Sequence, residues 1–107
     1  LAAVKEVLDH ISLHYQENLT VSELSGLSNY SEYYFMKLFR QYTGKTLVEY
    51  INDFRIEKAK YLLTHSDAPV TEIAMQVGFN STSYFIKKFQ QSNKVSPHKY
   101  RKSMRQI

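Results

Sequence analysis

A repeat of about fifty residues runs through the chain, and it limits the fold more than any other feature of the 107-residue sequence. With a shift of 50, seven residues of the first copy fall on identical residues of the second. Upstream of these the shift is 49, because the second copy carries one additional turn residue, Asn80. Two copies are too few for a solenoid, which needs about three to bury a continuous core. The matching residues are Ser31, Tyr34, Phe35, Lys37, Phe39, Gln41 and Tyr50 in the first copy and Ser81, Tyr84, Phe85, Lys87, Phe89, Gln91 and Tyr100 in the second.

Each copy has the pattern of a short helix, a tight turn and a longer helix. The turn falls at Asn29 or at Gly78, two residue types that tolerate a left-handed backbone. A short helix, a tight turn and a second helix form a helix-turn-helix arrangement. Three glycines and two prolines supply too few turns for a many-stranded sheet. Capping residues and apolar periodicity therefore predict an all-α fold of about seven helices, near residues 4–15, 20–29, 31–44, 46–64, 70–77, 81–92 and from 96 onward.

The segment 46–64 is apolar on two faces. Leu47 and Ile51 fall on one face, whereas Ile56 and Leu63 fall on another. A helix with two apolar faces packs against two cores, so we interpret this segment as a long linker helix that joins two helix-turn-helix subdomains. The predicted organisation is an N-terminal helix with the first subdomain in residues 1–45, the linker helix in 46–64 and the second subdomain in 65–107.

Basic residues are concentrated toward the C-terminus. The formal net charge is +4, yet residues 81–107 hold seven of the 14 Lys and Arg residues and none of the ten Asp and Glu residues. Such a segment favours contact with a polyanion, although a solvated basic tail would have the same composition. The aromatic residues between the lysines favour an ordered basic surface over a tail.

The composition gives no support to several classes of function. The chain has no cysteine, which excludes disulfides, thiolate metal sites and cysteine nucleophiles and agrees with a cytoplasmic location. It has no Gly-rich phosphate loop and no apolar run near the roughly 18 residues of a membrane span. His10 and His14 lie one helical turn apart without a spacing that supplies further metal ligands. We therefore expect a protein that is not an enzyme, with no catalytic residue, no metal, no cofactor and no membrane partner.

The second helix of each copy offers an outward face that suits the major groove of DNA. If its two phenylalanines point inward, the residues on the opposite face point outward and can reach base edges. Lys37 and Lys87 occupy the same repeat position and can donate to guanine, while Met36 and Ile86 suit thymine methyl groups or, alternatively, the rim of the core. Glu32 can accept from cytosine or serve the helix dipole. The candidate base-reading residues are Glu32, Tyr33, Met36, Lys37, Arg40, Thr82, Ser83, Ile86 and Lys87.

Phosphate contacts form a second set of candidates. Backbone amides at helix N-termini bind anions, and polar or basic side chains along the second copy can add contacts. A linker helix of about 19 residues is roughly 28 Å long, which compares with the roughly 34 Å between successive major grooves on one side of DNA. One chain could therefore read two adjacent groove segments without dimerising. The candidates are Ser31, Ser81, Lys88, Gln90, Lys94, Ser96, Lys99 and Arg101.

The second copy carries a long motif that resembles a family signature. It reads Ile73-Ala74-x-x-Val77-Gly78-Phe79-x-Ser81-x-Ser83-Tyr84-Phe85-x-Lys87-x-Phe89, followed by Ser96-Pro97-x-x-Tyr100-Arg101. Together with Ser31 to Phe39, Gly44 and Arg55-Ile56-x-x-Ala59-x-x-Leu62-Leu63, it is similar to the DNA-binding domain of AraC/XylS-type bacterial transcription regulators. The resemblance covers nearly the whole chain.

This resemblance implies a function and a set of partners. It implies two homeodomain-like helix-turn-helix subdomains that bind double-stranded promoter DNA in a sequence-specific way, usually within a transcriptional activator that works with RNA polymerase. In most members the domain follows an effector-binding, dimerising or phosphoreceiver domain, so we expect this chain, which begins at Leu1, to be the C-terminal piece of a longer regulator. Two departures stand out: Gln90-Gln91 replaces a usual basic pair, and Lys94 replaces a usual glycine. Either Asn93 takes the left-handed turn there or Lys94 takes it under strain.

Two other functions stay open at this point. A protein-interaction module would use the tyrosine-rich surface, and a non-specific nucleic-acid binder would use the basic end and stack aromatic side chains on single strands. A sequence-specific duplex binder differs from both, because its affinity falls steeply with salt and depends on the base sequence.

Overall fold

The computed structural model describes residues 1–105, and these residues form seven α-helices with no strand among them. None of the described helices combines the length and the hydrophobicity needed to cross a membrane. The prediction of an all-α fold with seven helices is confirmed. The helices are α1 (Ala2–His14), α2 (Val21–Gly26), α3 (Glu32–Thr43), α4 (Leu47–His65), α5 (Val70–Gln76), α6 (Thr82–Asn93) and α7 (Pro97–Met104).

Side-chain hydroxyls cap the N-termini of five helices, as the sequence predicts. In four of them the hydroxyl accepts a hydrogen bond from the backbone N–H three residues later, at 3.1–3.2 Å. At α4 the exchange is reciprocal, because the Thr46 hydroxyl accepts from the Glu49 N–H at 3.1 Å and the Glu49 carboxylate accepts from the Thr46 N–H at 2.8 Å. Each bond satisfies a helix-end donor that has no partner within the helix. The four other capping residues are Thr20, Ser31, Ser81 and Ser96.

The chain divides into two compact units, residues 1–51 and the residues from 52 onward. In the first unit, α1, α2 and α3 surround a core that the first turn of α4 completes. Two fully buried phenylalanines of α3 stand at its centre, and the Tyr50 ring meets the Phe39 ring edge-on at 5.5 Å between centroids. The buried apolar residues are Val4, Val7, Ile11, Leu24, Phe35, Phe39, Leu47 and Ile51.

The second unit repeats this plan with the rest of α4, then α5, α6 and α7. Here the Tyr100 ring meets the Phe89 ring edge-on at the same 5.5 Å between centroids. Tyr50 and Tyr100 are repeat equivalents, so the two cores share their aromatic packing as well as their helix order. The buried apolar residues are Ile56, Ala59, Leu63, Val70, Ile73, Ala74, Val77, Phe79, Phe85 and Phe89, with Pro97 beside them.

Helix α4 contributes buried residues to the cores of both units. Its first turn buries Leu47, the repeat equivalent of Pro97, and so plays the part in unit one that α7 plays in unit two. Its later residues, Ile56, Ala59 and Leu63, have the same spacing as the buried residues of α1 and open the second unit. The prediction of two apolar faces is confirmed. The boundary between the units lies inside this helix, at 51/52, so each unit contains part of it.

Four residues with positive φ end helices or close turns. Asn29 (φ 64°) and Gly78 (φ 107°) follow the short helices α2 and α5, as predicted. Gly44 (φ 78°) ends α3, and its repeat equivalent Lys94 (φ 66°) ends α6. Of the two alternatives for the second copy, Lys94 therefore takes the left-handed conformation, one that costs an L-residue about 1–2 kcal/mol.

Candidate nucleic-acid interface

Helix α3 turns its two phenylalanines inward and its candidate base-reading residues outward. Phe35 and Phe39 are fully buried, because they lie four residues apart on one face of the helix. The Ser31 cap fixes the start of the helix by accepting from the Tyr34 N–H at 3.2 Å. Met36 is half-buried, and the exposed candidates on this helix are Glu32, Tyr33, Lys37 and Arg40.

Four of these five candidates line one open groove of about 280 Å³. Tyr33 and Met36 give it an apolar surface, Lys37 and Arg40 give it positive charge, and Thr46 from the start of α4 completes the lining. Glu32 is not among the lining residues. An apolar surface flanked by two cations can contact a methyl group and donate hydrogen bonds to ring nitrogens or carbonyl oxygens.

Helix α6 repeats the arrangement with fewer charges. Phe85 and Phe89 are fully buried, and the Ser81 hydroxyl accepts from the Tyr84 N–H at 3.2 Å. Lys87 is exposed like its equivalent Lys37, and Ile86 is half-buried like Met36. The two equivalent apolar residues thus pack partly on the core rim and stay partly accessible. The remaining candidates are the exposed Ser83 and the half-buried Thr82.

Two residues that the sequence did not mark as candidates meet beside α6. The Asn52 side chain of α4 is buried, and its Nδ2 donates to the Tyr84 hydroxyl at 2.9 Å. The Lys88 ammonium lies 5.4 Å from the centroid of the Tyr84 ring. The available signals were weak: Tyr84 belongs to the identical positions of the repeat, and Asn52 is a polar residue directly after the apolar Ile51.

The phosphate candidates at helix starts have capping roles. Ser31, Ser81 and Ser96 use their hydroxyls on the backbone amides of α3, α6 and α7. The side chains of Gln90 and Lys99 are exposed.

The two other lysine candidates each make a weak internal contact. The Lys88 Nζ lies 3.4 Å from the Gln91 Oε1, and the Lys94 Nζ lies 3.4 Å from the Gln91 carbonyl oxygen. Lys94 is exposed and Lys88 is half-buried, and contacts of this length are weak enough to leave both ammonium groups available to an anion.

Arg101 makes hydrogen bonds within the fold. Its Nε donates to the Leu63 carbonyl at 3.0 Å, and its Nη2 donates to the carbonyls of Ser66 at 3.1 Å and Ala68 at 2.7 Å. The last carbonyls of a helix lack partners within the helix, so this guanidinium stabilises the end of α4 and the loop after it. The expected contact of Arg101 with phosphate stays a prediction, and it would fall to the Nη1 group.

Arg105, the C-cap residue directly after α7, extends the same clamp. Its Nη1 lies 2.6 Å from the Asp67 Oδ1, its Nε donates to the Thr64 carbonyl at 3.3 Å, and its Nη2 donates to the Ser66 carbonyl. The hydrogen bond from Arg105 to the Asp67 carboxylate holds the pKa of Asp67 below its ordinary value. A second open groove, of about 420 Å³, is lined by His98, Lys99, Arg101, Lys102 and Arg105.

Other charged groups serve structure. Hydrogen bonds from Thr46 lower the pKa of the Glu49 carboxyl, in keeping with its capping role. Burial lowers the pKa of Arg55, whose guanidinium carbon lies 5.9 Å from the Phe79 ring centroid. Within residues 1–105 no cluster of three or more His, Cys, Asp or Glu side chains is placed to bind a metal.

A comparison with family models decides the classification. A family described as "Helix-turn-helix domain" matches residues 24–103, from the second half of α2 into α7. The chain belongs to the AraC/XylS-type helix-turn-helix family. It is a DNA-binding domain of a transcription regulator and not an enzyme.

Relatives in this family match nearly the whole chain. The HTH-type transcriptional regulator YdeC of Bacillus subtilis is 41% identical over 99 residues, which is 92% of this chain and 34% of that protein. The regulatory protein PocR of Salmonella typhimurium is 37% identical over 101 residues, which is 94% of this chain and 33% of that protein. The chain thus spans about a third of the length of these relatives.

Solved structures of family members share the fold. The C-terminal domain of the two-component response regulator yesN from Fusobacterium nucleatum is 33% identical, with a TM-score of 0.87 over 94% of this chain and 99% of that one. The DNA-binding domain of AdpA, a global transcriptional factor solved in complex with a target DNA, is 29% identical, with a TM-score of 0.91 over 95% of this chain and 92% of that one.

Proposed function

We propose that this domain binds double-stranded promoter DNA sequence-specifically, with α3 and α6 in successive major grooves. One observation carries the proposal: both helices have the same serine cap, the same buried phenylalanine pair and an exposed lysine at the same repeat position. An α-helix with a polar outer face fits the major groove. The 19 residues of α4 span roughly 28 Å, a length comparable to the groove repeat. The AdpA domain, of the same fold, was solved with a target DNA.

The exposed side chains support a division of the base contacts. Lys37 and Lys87 donate to guanine O6 or N7, and the accessible parts of Met36 and Ile86 contact thymine methyl groups. The other base contacts come from Glu32, Tyr33, Arg40, Thr82 and Ser83.

The phosphate contacts come from the helix starts and from polar side chains that are exposed or, for Lys88, half-buried. The backbone amides that follow Ser31, Ser81 and Ser96 offer N–H donors at positive helix ends. The side chains of Lys88, Gln90, Lys94 and Lys99 add contacts along the second unit. Arg101 already directs its Nε and Nη2 donors to backbone carbonyls, so a phosphate contact from this residue would use its Nη1 group.

The whole protein, we infer, is a cytoplasmic transcription regulator, and an activator that contacts RNA polymerase. A separate effector-binding or phosphoreceiver domain supplies its signal. The chain's share of about a third of YdeC and PocR supports this inference, because each of those regulators has room for further domains.

Selection of bound duplexes from a randomised pool tests the proposal. We expect a preferred sequence in two blocks about one helical turn apart. On the selected duplex, Lys37→Gln and Lys87→Gln should each cost about 1–3 kcal/mol in binding free energy, whereas Lys5→Gln on the exposed surface of α1 should have little effect. Equal losses on selected and random duplexes would assign both lysines to phosphates. The absence of any sequence preference would contradict the proposal and favour non-specific binding or a protein partner.

A further inference from the structure

The second unit contains a hydrogen bond that none of the proposed DNA contacts uses. Only 8% of the Asn52 surface is exposed, and its Nδ2 donates to the Tyr84 hydroxyl oxygen at 2.9 Å. A phenol hydroxyl combines one proton with acceptor lone pairs. Because the oxygen accepts from Asn52, its proton is free for another acceptor, and the incoming N–H polarises the hydroxyl and strengthens it as a donor.

The Tyr84 ring is held in place without being enclosed. The Tyr84 ring packs against the Phe79 ring at 6.1 Å between centroids, and the Lys88 ammonium lies 5.4 Å from the centroid of the Tyr84 ring. Of the tyrosine surface, 40% is exposed. A fixed hydroxyl on a partly exposed tyrosine, with a lysine ammonium near the same ring, can bind a phosphate oxygen, because tyrosine and lysine side chains both donate to the DNA backbone.

Tyr34, the repeat equivalent in the first unit, lacks this support. Its ring meets the Tyr30 ring edge-on at 5.1 Å, and its hydroxyl has no hydrogen-bond partner among the described residues. Helix α3 has the charged Arg40 at the repeat position where α6 has the neutral Gln90. The second helix instead has Lys88 where the first has Leu38, so its second cation lies one turn from Tyr84 and a hydroxyl donor there adds to the same anchor.

We propose that the Tyr84 hydroxyl donates a hydrogen bond to a backbone phosphate of bound duplex DNA, with Asn52 as the positioning residue that keeps its proton directed outward. This inference rests on the proposed binding of α6 to DNA. The contact is neutral on the protein side, so it adds affinity without releasing a counterion, unlike a lysine contact.

The first test compares Tyr84→Phe with Tyr34→Phe. Binding to a fluorescent mixed-sequence duplex of about three helical turns is measured by anisotropy between about 50 and 200 mM KCl. Tyr84→Phe should weaken binding about tenfold, the size expected for a hydrogen bond to a charged acceptor, by the same factor at every salt concentration. Tyr34→Phe should change affinity less than about twofold. Equal affinity of wild type and Tyr84→Phe would overturn the inference.

The second test reverses the hydrogen bond between residues 52 and 84. In Asn52→Asp the carboxylate only accepts, so it draws the Tyr84 proton away from DNA and should reproduce the loss seen with Tyr84→Phe. The added negative charge acts separately and is measured as the effect of Asn52→Asp in the Tyr84→Phe background. A loss that nearly disappears in that background supports the positioning role. Equal losses in both backgrounds would overturn it.

A third measurement moves the change to the DNA, which keeps the test independent of the folding of any single variant. Single phosphates of the duplex are replaced by neutral methylphosphonates. One replacement should weaken wild-type binding and have little further effect on Tyr84→Phe or on Asn52→Asp. If every replacement affects all three proteins equally, the Tyr84 contact is absent. If the wild-type protein binds no duplex, the proposed function itself fails.

Discussion

Replacement of Lys94 by glycine is expected to stabilise the protein while weakening its binding to DNA. Lys94 ends α6 with φ 66° and ψ 2°, where a Cβ crowds the backbone and costs about 1–2 kcal/mol. Gly44 ends α3 at the equivalent position, with φ 78° and ψ 3°. The two helix ends therefore share nearly the same backbone, and only the second carries a strained side chain.

The size of the gain follows from opposing effects. Glycine removes the roughly 1–2 kcal/mol of left-handed strain, but its greater freedom in the unfolded chain costs about 0.4–1 kcal/mol. The contact of the Lys94 ammonium with the Gln91 carbonyl oxygen, at 3.4 Å, is lost as well, which costs about 0.3 kcal/mol at a helix C-terminus. We expect a net stabilisation of about 0.5 kcal/mol.

Urea unfolding followed by circular dichroism measures this change. Lys94→Ala is the matched control, because it removes the ammonium and keeps the strained Cβ, so its stability should fall slightly below that of the wild type. Gly44→Lys is the reciprocal change: a Cβ there has no heavy atom within 4 Å, so its cost of about 0.5–1 kcal/mol comes from the backbone alone. Both Lys94 variants should lose DNA affinity equally. If Lys94→Ala is as stable as Lys94→Gly, the argument from left-handed strain is refuted.

Two further predictions concern the arginine clamp of α7. Arg101→Met removes three hydrogen bonds to backbone carbonyls and should lower the free energy of unfolding by about 2–3 kcal/mol. Arg101→Lys should not restore this stability, because an ammonium lacks the planar fork of the guanidinium. Unchanged stability with a shallower salt dependence of DNA binding would instead make Arg101 a phosphate contact. For Asp67, the hydrogen bond from Arg105 lowers the carboxyl pKa, so its contribution to stability is present above the ordinary pKa and is lost as pH falls through the folded-state pKa. Asp67→Asn should therefore unfold at lower urea concentration than wild type at neutral pH and match it near pH 2; a gap that persists in acid would contradict the linkage.

The helices are predictable from the sequence because their signals are local. A serine such as Ser31 caps the amide three residues later, and Gly44 ends the same helix through its own φ angle. The outward positions of Lys37 and Lys87 follow from the buried phenylalanines on the same helix, since the helical period relates one face to the other. These features need no knowledge of distant parts of the chain.

The roles that the sequence did not reveal depend on distant partners. Arg101 bonds to residues 33 to 38 positions away, and Tyr84 bonds to Asn52, 32 positions away. A basic residue on a surface helix has the same local pattern whether it meets phosphate or a helix end. Only the packing of α7 against the end of α4 separates these cases for Arg101.

Arg101 and Arg105 make contacts within the fold, and these contacts bear on how strongly residues 81–107 can bind a polyanion. Residues 81–107 carry seven basic side chains, but Arg105 pairs with Asp67 and Arg101 directs its Nε and Nη2 to the end of α4 and the loop after it, so the five lysines are the basic side chains without such contacts. Each phosphate that a protein neutralises on B-DNA contributes about −0.9 to the slope of log affinity against log salt. The five lysines of this segment can therefore contribute at most about −4.5 to that slope, whereas all seven basic residues together would allow about −6. The affinity of the second unit for DNA must then depend more on neutral donors, among them helix amides and hydroxyls, than its net charge suggests.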